Sequence, residues 1–590
     1  EGVGPGALMS KAPPPAPALI AQWQAEQVAT VRRYRNHPSI LFWCISNEGL
    51  QGDARNPEKI AIFRDIIAAV RQADPTRPII QTSGDLDYAH NADIEDVHAY
   101  WGWYESSSYV NEYTHPMRGL SGTPGHAFLN EECAVPYQNT DTGGVHPAYI
   151  GRYSAHPWVG EFGVTNADPA CFAEHIRAEA KLKSEKLRYQ RAEQPTAGAL
   201  LFANTTWVKN VLTRPPSQWQ PFPVYDAVKQ GYAPVLLAWG TSQSVFFAGD
   251  SIRTRLYVVN DDADFRDLKN LSAQVEVLGA AGRSLLTQSV SLGDVDYYAV
   301  RHWPLTLRMP TPAGSSMSMV PASVRLRLWC GTKLVSENSY PVRIATHEWA
   351  AGGGPPLTVV AEGCDPAIMT QLKLMGLQRF SLSAATAGAI KADVVLLGPQ
   401  ATAINPVAAR AVLKPGGRLI VLEQGFHAER FFPDLIPTNS AAPAQTSPDA
   451  PLNDFMYEKS ASSQPASARV DEEFVEMLGW AQKRPIFAGL AAMDWKWWAQ
   501  GAGRPAYVGS ATHRVDVRNP AVIPLGRFLQ PHFYWSGNLE KVYAAKLSYP
   551  VFAVRRAWGD LLVCELDLSE SVAHDPRAAR TLKNMMRQPL

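Results

Sequence analysis

The chain has 590 residues, too many for a single hydrophobic core, so three or more domains are expected. Its 55 basic and 55 acidic side chains cancel, which offers no field for nucleic acid or an anionic membrane surface. No apolar run reaches the roughly 18–20 residues of a membrane-spanning helix, and the six cysteines (Cys44, Cys133, Cys171, Cys330, Cys364, Cys564) have neither metal nor disulfide spacing and read as free thiols.

Residues 18–34 read as a helix, because Ile20, Trp23, Val28 and Val31 share one broad face and no Pro interrupts them. Asn36-His37-Pro38 ends it, since a residue before Pro is driven out of the α conformation. Ser39 to Ile45 is then a nearly continuous apolar run, the pattern of a strand buried on both faces, and it leads to Asn47-Glu48. A charge there is costly unless it is hydrogen-bonded or functional. The tip of such a strand is where an α/β barrel keeps its chemistry; a Glu capping the next loop is the plainer alternative.

Ile60, Phe63, Ile67 and Val70 form a second helical stripe, and Asp74-Pro75-Thr76-Arg77-Pro78 stops it. Ile79 to Thr82 is the next strand, and Asp96 to Tyr100 another, running into Trp101-Gly102-Trp103-Tyr104. Ala127 to Glu131 is a further short strand; a long helix over 172–192 precedes a last one, Gly198 to Ala203, followed by Asn204 and Trp207. Strands alternating with helices over residues 1–232 predict parallel α/β packing.

Residues 233–348 change character. Ile252, Thr254, Leu256 and Val258 alternate with Arg253, Arg255 and Tyr257, and Val324, Leu326 and Leu328 alternate with Arg325 and Arg327, as strands with one wet face require. Residues 349–590 return to α/β, with buried-strand runs at 358–360, 394–397 and 418–422. The Ser-, Ala- and Pro-rich stretch 437–469 reads as a mobile loop.

The stretch from Arg35-Asn36-His37-Pro38-Ser39-Ile40 through Trp43 to Asn47-Glu48 resembles the general-acid signature of glycoside hydrolase family 2. That resemblance implies a (β/α)8 TIM barrel of which residues 1–232 supply the later strands, four to eight. It further implies that an immunoglobulin-like β-sandwich follows the barrel. The last domain resembles the flavodoxin-type, glutamine-amidotransferase-like domain of some glycosidases. The third strand of that domain runs into Glu423-Gln424-Gly425-Phe426, without the relatives' nucleophilic Cys, so a structural role is expected. The chain opens on Glu1, not Met, and begins mid-barrel, which reads as a piece of a longer protein; periplasm or secretion is only a family-level expectation.

By the resemblance Glu48 is the catalytic acid/base and Asn47 the contact to the sugar 2-hydroxyl. A retaining glycosidase needs a second carboxylate about 5–5.5 Å away. Phe128-Leu129-Asn130-Glu131 resembles the family pattern for the nucleophile, and Trp158-Val159-Gly160-Glu161-Phe162-Gly163 competes through its Glu-Phe-Gly. Glu131 follows Glu48 by 83 residues (131 − 48) and Glu161 by 113 (161 − 48); the shorter spacing and the strand context favour Glu131, with Glu161 the alternative nucleophile. Cys133 stands where most relatives have Gly, whereas Gly163 keeps it. Glu132 is a distant third, because adjacent strand residues face opposite sides. His98, Tyr100, Trp103 and Trp207 are candidate sugar contacts, with barrel packing the alternative reading, and Asn36 and His37 are expected to shape the back of the site.

No His/Cys/Asp cluster has zinc spacing and no Gly-rich phosphate loop is evident, so neither metal nor cofactor is expected. The resulting expectation is a retaining exo-β-glycosidase acting on an oligosaccharide or glycan. The Asn-x-Lys clamp of the family's glucuronidases is not visible in Gln220 to Asp226, which points to a β-galactosidase or β-mannosidase type. A non-catalytic carbohydrate-binding protein with a dead barrel is the alternative, and homo-oligomerisation stays open.

Overall fold

The computed structural model describes residues 13–50, 53, 55–84, 87–98, 125–134, 140–143, 169–189, 191, 197–202, 204–241, 243–314, 318–436, 484–491, 494, 497–501, 505–507, 513, 515–529 and 547–590. They fall into two units. The first unit is built on five strands: β1 (Trp43–Cys44), β2 (Ile79–Ile80), β3 (Ile94–His98), β4 (Ala127–Ala134) and β5 (Gly198–Phe202). They form one sheet in chain order, and every neighbouring pair is parallel, the local order of a barrel wall.

Two helices cover the first strands. Helix α1 (Pro17–Tyr34) starts on a Pro, which a first helical turn tolerates, and buries Trp23, Gln27 and Val31. Helix α2 (Pro57–Ala73) is capped by Asn56, whose side chain accepts from the amides of Glu58 (3.0 Å) and Lys59 (3.4 Å). Its buried face of Phe63, Ile66, Ile67 and Val70 shares a core with Trp23, Ile45 and Ile79, and Trp23 meets Phe63 edge to face at 5.5 Å.

The turns that sequence reading marks as helix stops are joined to each other. Asp74 Oδ2 accepts from Trp43 Nε1 (3.0 Å) and from Arg77 Nη1 (2.8 Å), and Oδ1 accepts from the Thr76 amide (3.0 Å). Burial would raise the Asp74 pKa, but the bonds from Thr76, Trp43 and Arg77 outweigh it and hold the carboxyl well below the usual range. Arg77 also donates to the carbonyls of Ile40 (2.8 Å) and His37 (3.1 Å). Asn36 and His37 are exposed beside this knot, which sits before β1 and β2, at the end of the strands away from Glu48.

The second unit contains a two-sheet sandwich and an α/β layer. The sandwich strands are β6 (Val235–Trp239), β7 (Val245–Phe247), β8 (Ser251–Asn260), β9 (Leu268–Gly279), β10 (Ser284–Val295), β11 (Val300–Arg308), β12 (Val320–Cys330) and β13 (Lys333–Ala345). One sheet has the order β11-β8-β6 and the other β10-β9-β12-β13-β7, antiparallel except for β13 against β7. Val324, Leu326 and Leu328 face the core, while Arg325 and Arg327 lie on the other face and pair with Glu276.

In the α/β layer β14 (Thr358–Glu362), β15 (Gln378–Phe380), β16 (Ala392–Leu397), β17 (Leu413–Leu422), β18 (Val522–Leu529), β19 (Leu547–Arg556) and β20 (Gly559–Cys564) form a sheet of order β15-β14-β16-β17-β20-β19-β18. Its first five strands are parallel, a doubly wound arrangement with its switch point between β14 and β16. The loops there abut: a Cβ on Gly398 would lie 2.3 Å from the Gly363 carbonyl oxygen, and one on Gly363 2.4 Å from the Ala401 nitrogen. After β17, Glu423 sits in the left-handed region (φ 51°), and its carboxylate accepts from the amides of Leu568 and Ser569, both at 2.8 Å. Burial and then Asp567 push its pKa well above the ordinary value. The expected mobile loop at 437–469 lies outside the described residues.

Sequence reading separates the sandwich from the α/β layer, but within the second unit they share one core: Phe247, Ala345 and Trp349 cluster with Val359, Leu396, Ile420 and Leu562. Buried charges tie the same seam. Arg343 on β13 pairs with Asp494, which lies 3.6 Å from Arg577, which pairs with Asp575 at 2.6 Å. Removing Asp494 takes one of two carboxylates from buried Arg577, the partner from half-buried Arg343 and the acceptor from the Ala491 amide, so Asp494→Ala is expected to lower the unfolding free energy in urea by about 3 kcal/mol; a change below 1 kcal/mol, on the order of a surface ion pair, would contradict this.

A second expectation concerns pH. Buried His513 bonds Glu565 (2.8 Å), with Glu429 3.8 Å from its other nitrogen. Burial disfavours its charge, but these carboxylates outweigh that and raise its pKa from 6.5 to about 9. The folded value exceeds the unfolded one, so the stabilisation is complete below 6.5 and is lost as pH rises through about 9. Relative to His513→Gln, the wild type is expected to lose on the order of 3 kcal/mol across that interval in urea melts. Parallel pH profiles for the two proteins would contradict it.

Candidate active site

The barrel segment brings its charged side chains together beyond the C-terminal ends of β1, β3 and β4. Strand β1 is short by hydrogen-bond criteria, but its path continues: Ile45 N donates to Ile80 O (3.1 Å), Ser83 N to Ser46 O (2.8 Å) and Glu48 N to Ser83 O (2.7 Å). Glu48 then turns into the left-handed region at φ 50°, a conformation that costs a side-chain-bearing residue roughly 1–2 kcal/mol. The next residue, Gly49, donates to Thr82 Oγ1 at 2.8 Å, and a Cβ on it would fall 2.7 Å from Ser46 Oγ and 2.9 Å from the Phe63 ring. The sharp turn is therefore locked, and it aims Glu48 away from the strand.

His98 ends β3 with its ring buried. Its Nε2 lies 2.7 Å from Ser83 Oγ, and its Nδ1 lies 3.1 Å from both Glu48 Oε1 and Glu132 Oε2. Burial opposes protonation of His98, but the bond to Glu48 and the charges of Glu132 and Asp96 more than offset it, so its pKa is raised. Gly84 packs on the ring at φ +88°, and a Cβ there would sit 2.6 Å from Nδ1. Buried Asp96 braces the group: Oδ2 accepts from the Gly84 amide (2.7 Å) and Oδ1 from the Glu131 amide (2.8 Å). Burial raises the Asp96 pKa in spite of those bonds.

The placement of the two β4 carboxylates, Glu131 and Glu132, depends on an irregularity in that strand. Val97 pairs with Asn130, yet His98 pairs with Glu132; on the other edge Asn130 pairs with Ala199 and Cys133 with Leu201. One extra residue is accommodated at Glu131-Glu132, a β-bulge. Strict alternation, the reason for ranking Glu132 last, does not survive a bulge. Glu132 reaches His98, while the Glu131 backbone is held by Asp96. The pair of consecutive acids at the strand tip was visible in the sequence; the bulge that re-aims the second one was not.

The remaining candidates are placed as follows. Asn47 is half-buried, and its buried Oδ1 has no hydrogen-bond partner among the described residues. Tyr100, Trp103 and Glu161 lie outside the described residues. Trp207 belongs to the second unit, where it is buried at the end of a short 3-10 turn (Asn204–Trp207), and its carbonyl accepts from Phe222 N at 2.9 Å. Sequence reading passed over Ser83, Gly84 and Asp96, which carry no motif and act through the groups they hold.

Among the described residues Glu48, His98 and Glu132 are the one metal-capable group, with ligand atoms within 4.8 Å of one another. Nδ1 carries at most one proton, so its contact with Glu48 is a hydrogen bond and its contact with Glu132 an ion pair.

Residues 17–157 match the model of Glycosyl hydrolases family 2, TIM barrel domain. A curated beta-glucuronidase from Bacteroides fragilis is 32% identical over 110 residues, which is 18% of this chain and 15% of that protein. Two solved structures are similar at low identity. The exo-chitosanase CsxA of Amycolatopsis orientalis has 14% identity and a TM-score of 0.36, covering 57% of this chain and 40% of that one. The Beta-D-Mannosidase of Dictyoglomus thermophilum has 13% identity and a TM-score of 0.38, covering 59% and 43%. The chain thus spans less than half the length of these relatives. Over residues 17–157, where the site-bearing strands β1 to β4 lie, the chain is thus similar to the barrel domain of glycosyl hydrolases family 2.

Proposed function

We propose that the barrel segment is the catalytic part of a retaining exo-β-glycosidase. The observation that carries the reading is the convergence of Glu48 and Glu132 on His98, with carboxylate oxygens within 4.8 Å. Such closeness fits a retaining pair, about 5–5.5 Å apart, better than an inverting pair, about 6.5–9.5 Å apart, which must leave room for water.

In this reading Glu48 protonates the leaving oxygen while a second carboxylate attacks the anomeric carbon, and Glu48, now ionised, takes a proton from the water that releases the sugar. The second carboxylate comes from the bulge. The family pattern favours Glu131, the contact to His98 favours Glu132, and Glu161 remains the alternative. The Oδ1 of Asn47, without a partner among the described residues, would accept from a sugar hydroxyl. Tyr100, Trp103 and Trp207 remain proposed sugar contacts, with an oligosaccharide or glycan as substrate.

The finer assignments also belong to this proposal. The missing Asn-x-Lys clamp supports a β-galactosidase or β-mannosidase type, while the B. fragilis relative keeps β-glucuronides in the comparison. The sandwich is read as immunoglobulin-like and the α/β layer as amidotransferase-like, each from its strand order.

A nitrophenyl-glycoside panel on the complete protein tests this, with Glu48→Gln, Glu131→Gln, Glu132→Gln and Glu161→Gln alongside. Glu48→Gln and one bulge variant are expected to lose about 10²–10⁴-fold in kcat; loss in Glu161→Gln with both bulge variants active would move the nucleophile, and a wild type inactive on every glycoside would favour the non-catalytic binding protein. Gly84→Ala pushes on the His98 ring, and a displacement on the scale of 1 Å in a catalytic constellation costs about 10²-fold. That loss is expected in kcat for Gly84→Ala, and wild-type kcat in this variant would show that ring placement does not matter.

A further inference from the structure

One end of the sandwich carries aromatic rings under unusual constraint. Phe265, in the loop from β8 to β9, is 73% exposed, and Tyr298, in the loop from β10 to β11, is 51% exposed. Both adopt the left-handed backbone region, at φ 59° and 61°. A bulky residue seldom sits there, because the conformation costs on the order of 1–3 kcal/mol. A solvent-exposed ring recovers little of that through burial, and Gly would remove the strain. Tyr297 joins the two, with ring centroids 5.2 Å from Phe265 and 6.0 Å from Tyr298.

The loops are not floppy. Asn260, fully buried at the end of β8, fixes both of them. Its side-chain amide donates to the carbonyls of Arg266 (2.9 Å) and Val295 (3.2 Å), and its Oδ1 accepts from Asp262 N (3.2 Å). Its backbone accepts from Tyr298 N (2.7 Å) and donates to Ala299 O (3.0 Å). Asp267 adds a bond from Tyr297 N at 2.9 Å. The rings are thus held in place before any ligand arrives, which lowers the entropic cost of binding.

We propose that Phe265, Tyr297 and Tyr298 form a binding platform for a neutral glycan chain. The charges around the rings argue for the occupant. Asp262 and Asp264 pair with Arg266 at 3.0 and 2.9 Å, Asp267, Asp294 and Asp296 gather around Lys269 at 3.4 to 3.7 Å, and Arg301 meets Asp296 at 3.9 Å. The carboxylates outnumber the cations, which disfavours polyanions, yet each is engaged with a cation of its own rim. The rings therefore stand beside a rim of paired charges whose polar edges and aromatic neighbours offer both kinds of contact. A hydroxyl-rich ring with one apolar face matches both, and rigid Tyr side chains give such contacts at low conformational cost. A second copy of the chain is a poor occupant, since a stable interface needs about 20–30 residues a side. Binding here requires no turnover, so the inference stands apart from the proposed catalytic activity.

Affinity electrophoresis of the full chain in gels containing galactomannan, mixed-linkage β-glucan or xyloglucan tests it, in a Glu48→Gln background so that no polymer is trimmed. Retardation by at least one of these is expected, with at least a tenfold loss of affinity in Phe265→Gly/Tyr298→Gly. The melting temperature of that double variant should be equal or higher, because Gly relieves two left-handed positions. That combination of lost binding and retained stability is not what a merely structural role of the rings would give. No retardation by any neutral polymer, equal retardation of the double variant, or retardation only by cationic chitosan would each overturn the proposal.

Discussion

The geometry of the candidate site hangs on one buried carboxylate. Asp96 sits near the end of the middle strand and spends both oxygens on backbone amides of its neighbours, Gly84 after β2 and Glu131 in β4. Those two bonds fix the relative height of three strand tips. Ser83, beside Gly84, then meets one nitrogen of His98, and Glu132, beside Glu131, meets the other. An acid this deeply buried is tolerable only with its lone pairs satisfied, and two amide donors at 2.7 and 2.8 Å do that. Replacing it by an apolar side chain would leave two orphaned amides and free the bulge to revert to regular alternation, which would turn Glu132 away from His98.

The two ends of the same sheet do different work. At the N-terminal end Asp74 gathers Trp43, Thr76 and Arg77, and Arg77 reaches the carbonyls of Ile40 and His37. Every donor there has its acceptor, and the carboxyl is held ionised; this is a joint. At the C-terminal end a ring nitrogen is shared between two carboxylates, a Glu occupies a left-handed backbone position and an Asn oxygen has no partner among the described residues. Strained backbone and shared acceptors thus gather at the end that carries the candidate site, whereas the end that joins the strands is fully paired.

This division also explains what could be read from the sequence. Helices α1 and α2 and the first strands follow from apolar spacing and from the Pro-containing stops, all of which are local signals. Glu48 was singled out because the whole stretch from Arg35 to Glu48 resembles the general-acid signature of a known family; a charge at the tip of an apolar strand would by itself read as a loop cap. The contact of Glu132 with His98 was not legible, because it depends on a one-residue mismatch between three strands that are distant in sequence. The shared core of sandwich and α/β layer was hidden for a similar reason. Phe247, Ala345 and Trp349 look like ordinary ends of their own elements, and only the packing joins them to Ile420 and Leu562. Nor does composition announce the Asn260 hub, whose single amide fixes two loops that begin 35 residues apart.

Four left-handed residues illustrate how such strain is offset. Glu423 accepts two amide bonds from Leu568 and Ser569, so its strain belongs to a turn that the α/β layer stabilises from outside. Glu48 is held by the Ser83 carbonyl behind it, the Gly49 amide bond after it and His98 in front. Phe265 and Tyr298 have backbone anchors, but their rings project into solvent. In the first case the side chain itself provides the compensation; in the second it is poised beside another charge; in the last the side chain contributes least to the fold that holds it. The fixed backbone of these two exposed rings, more than exposure alone, separates the sandwich platform from the scattered apolar residues found on any protein surface.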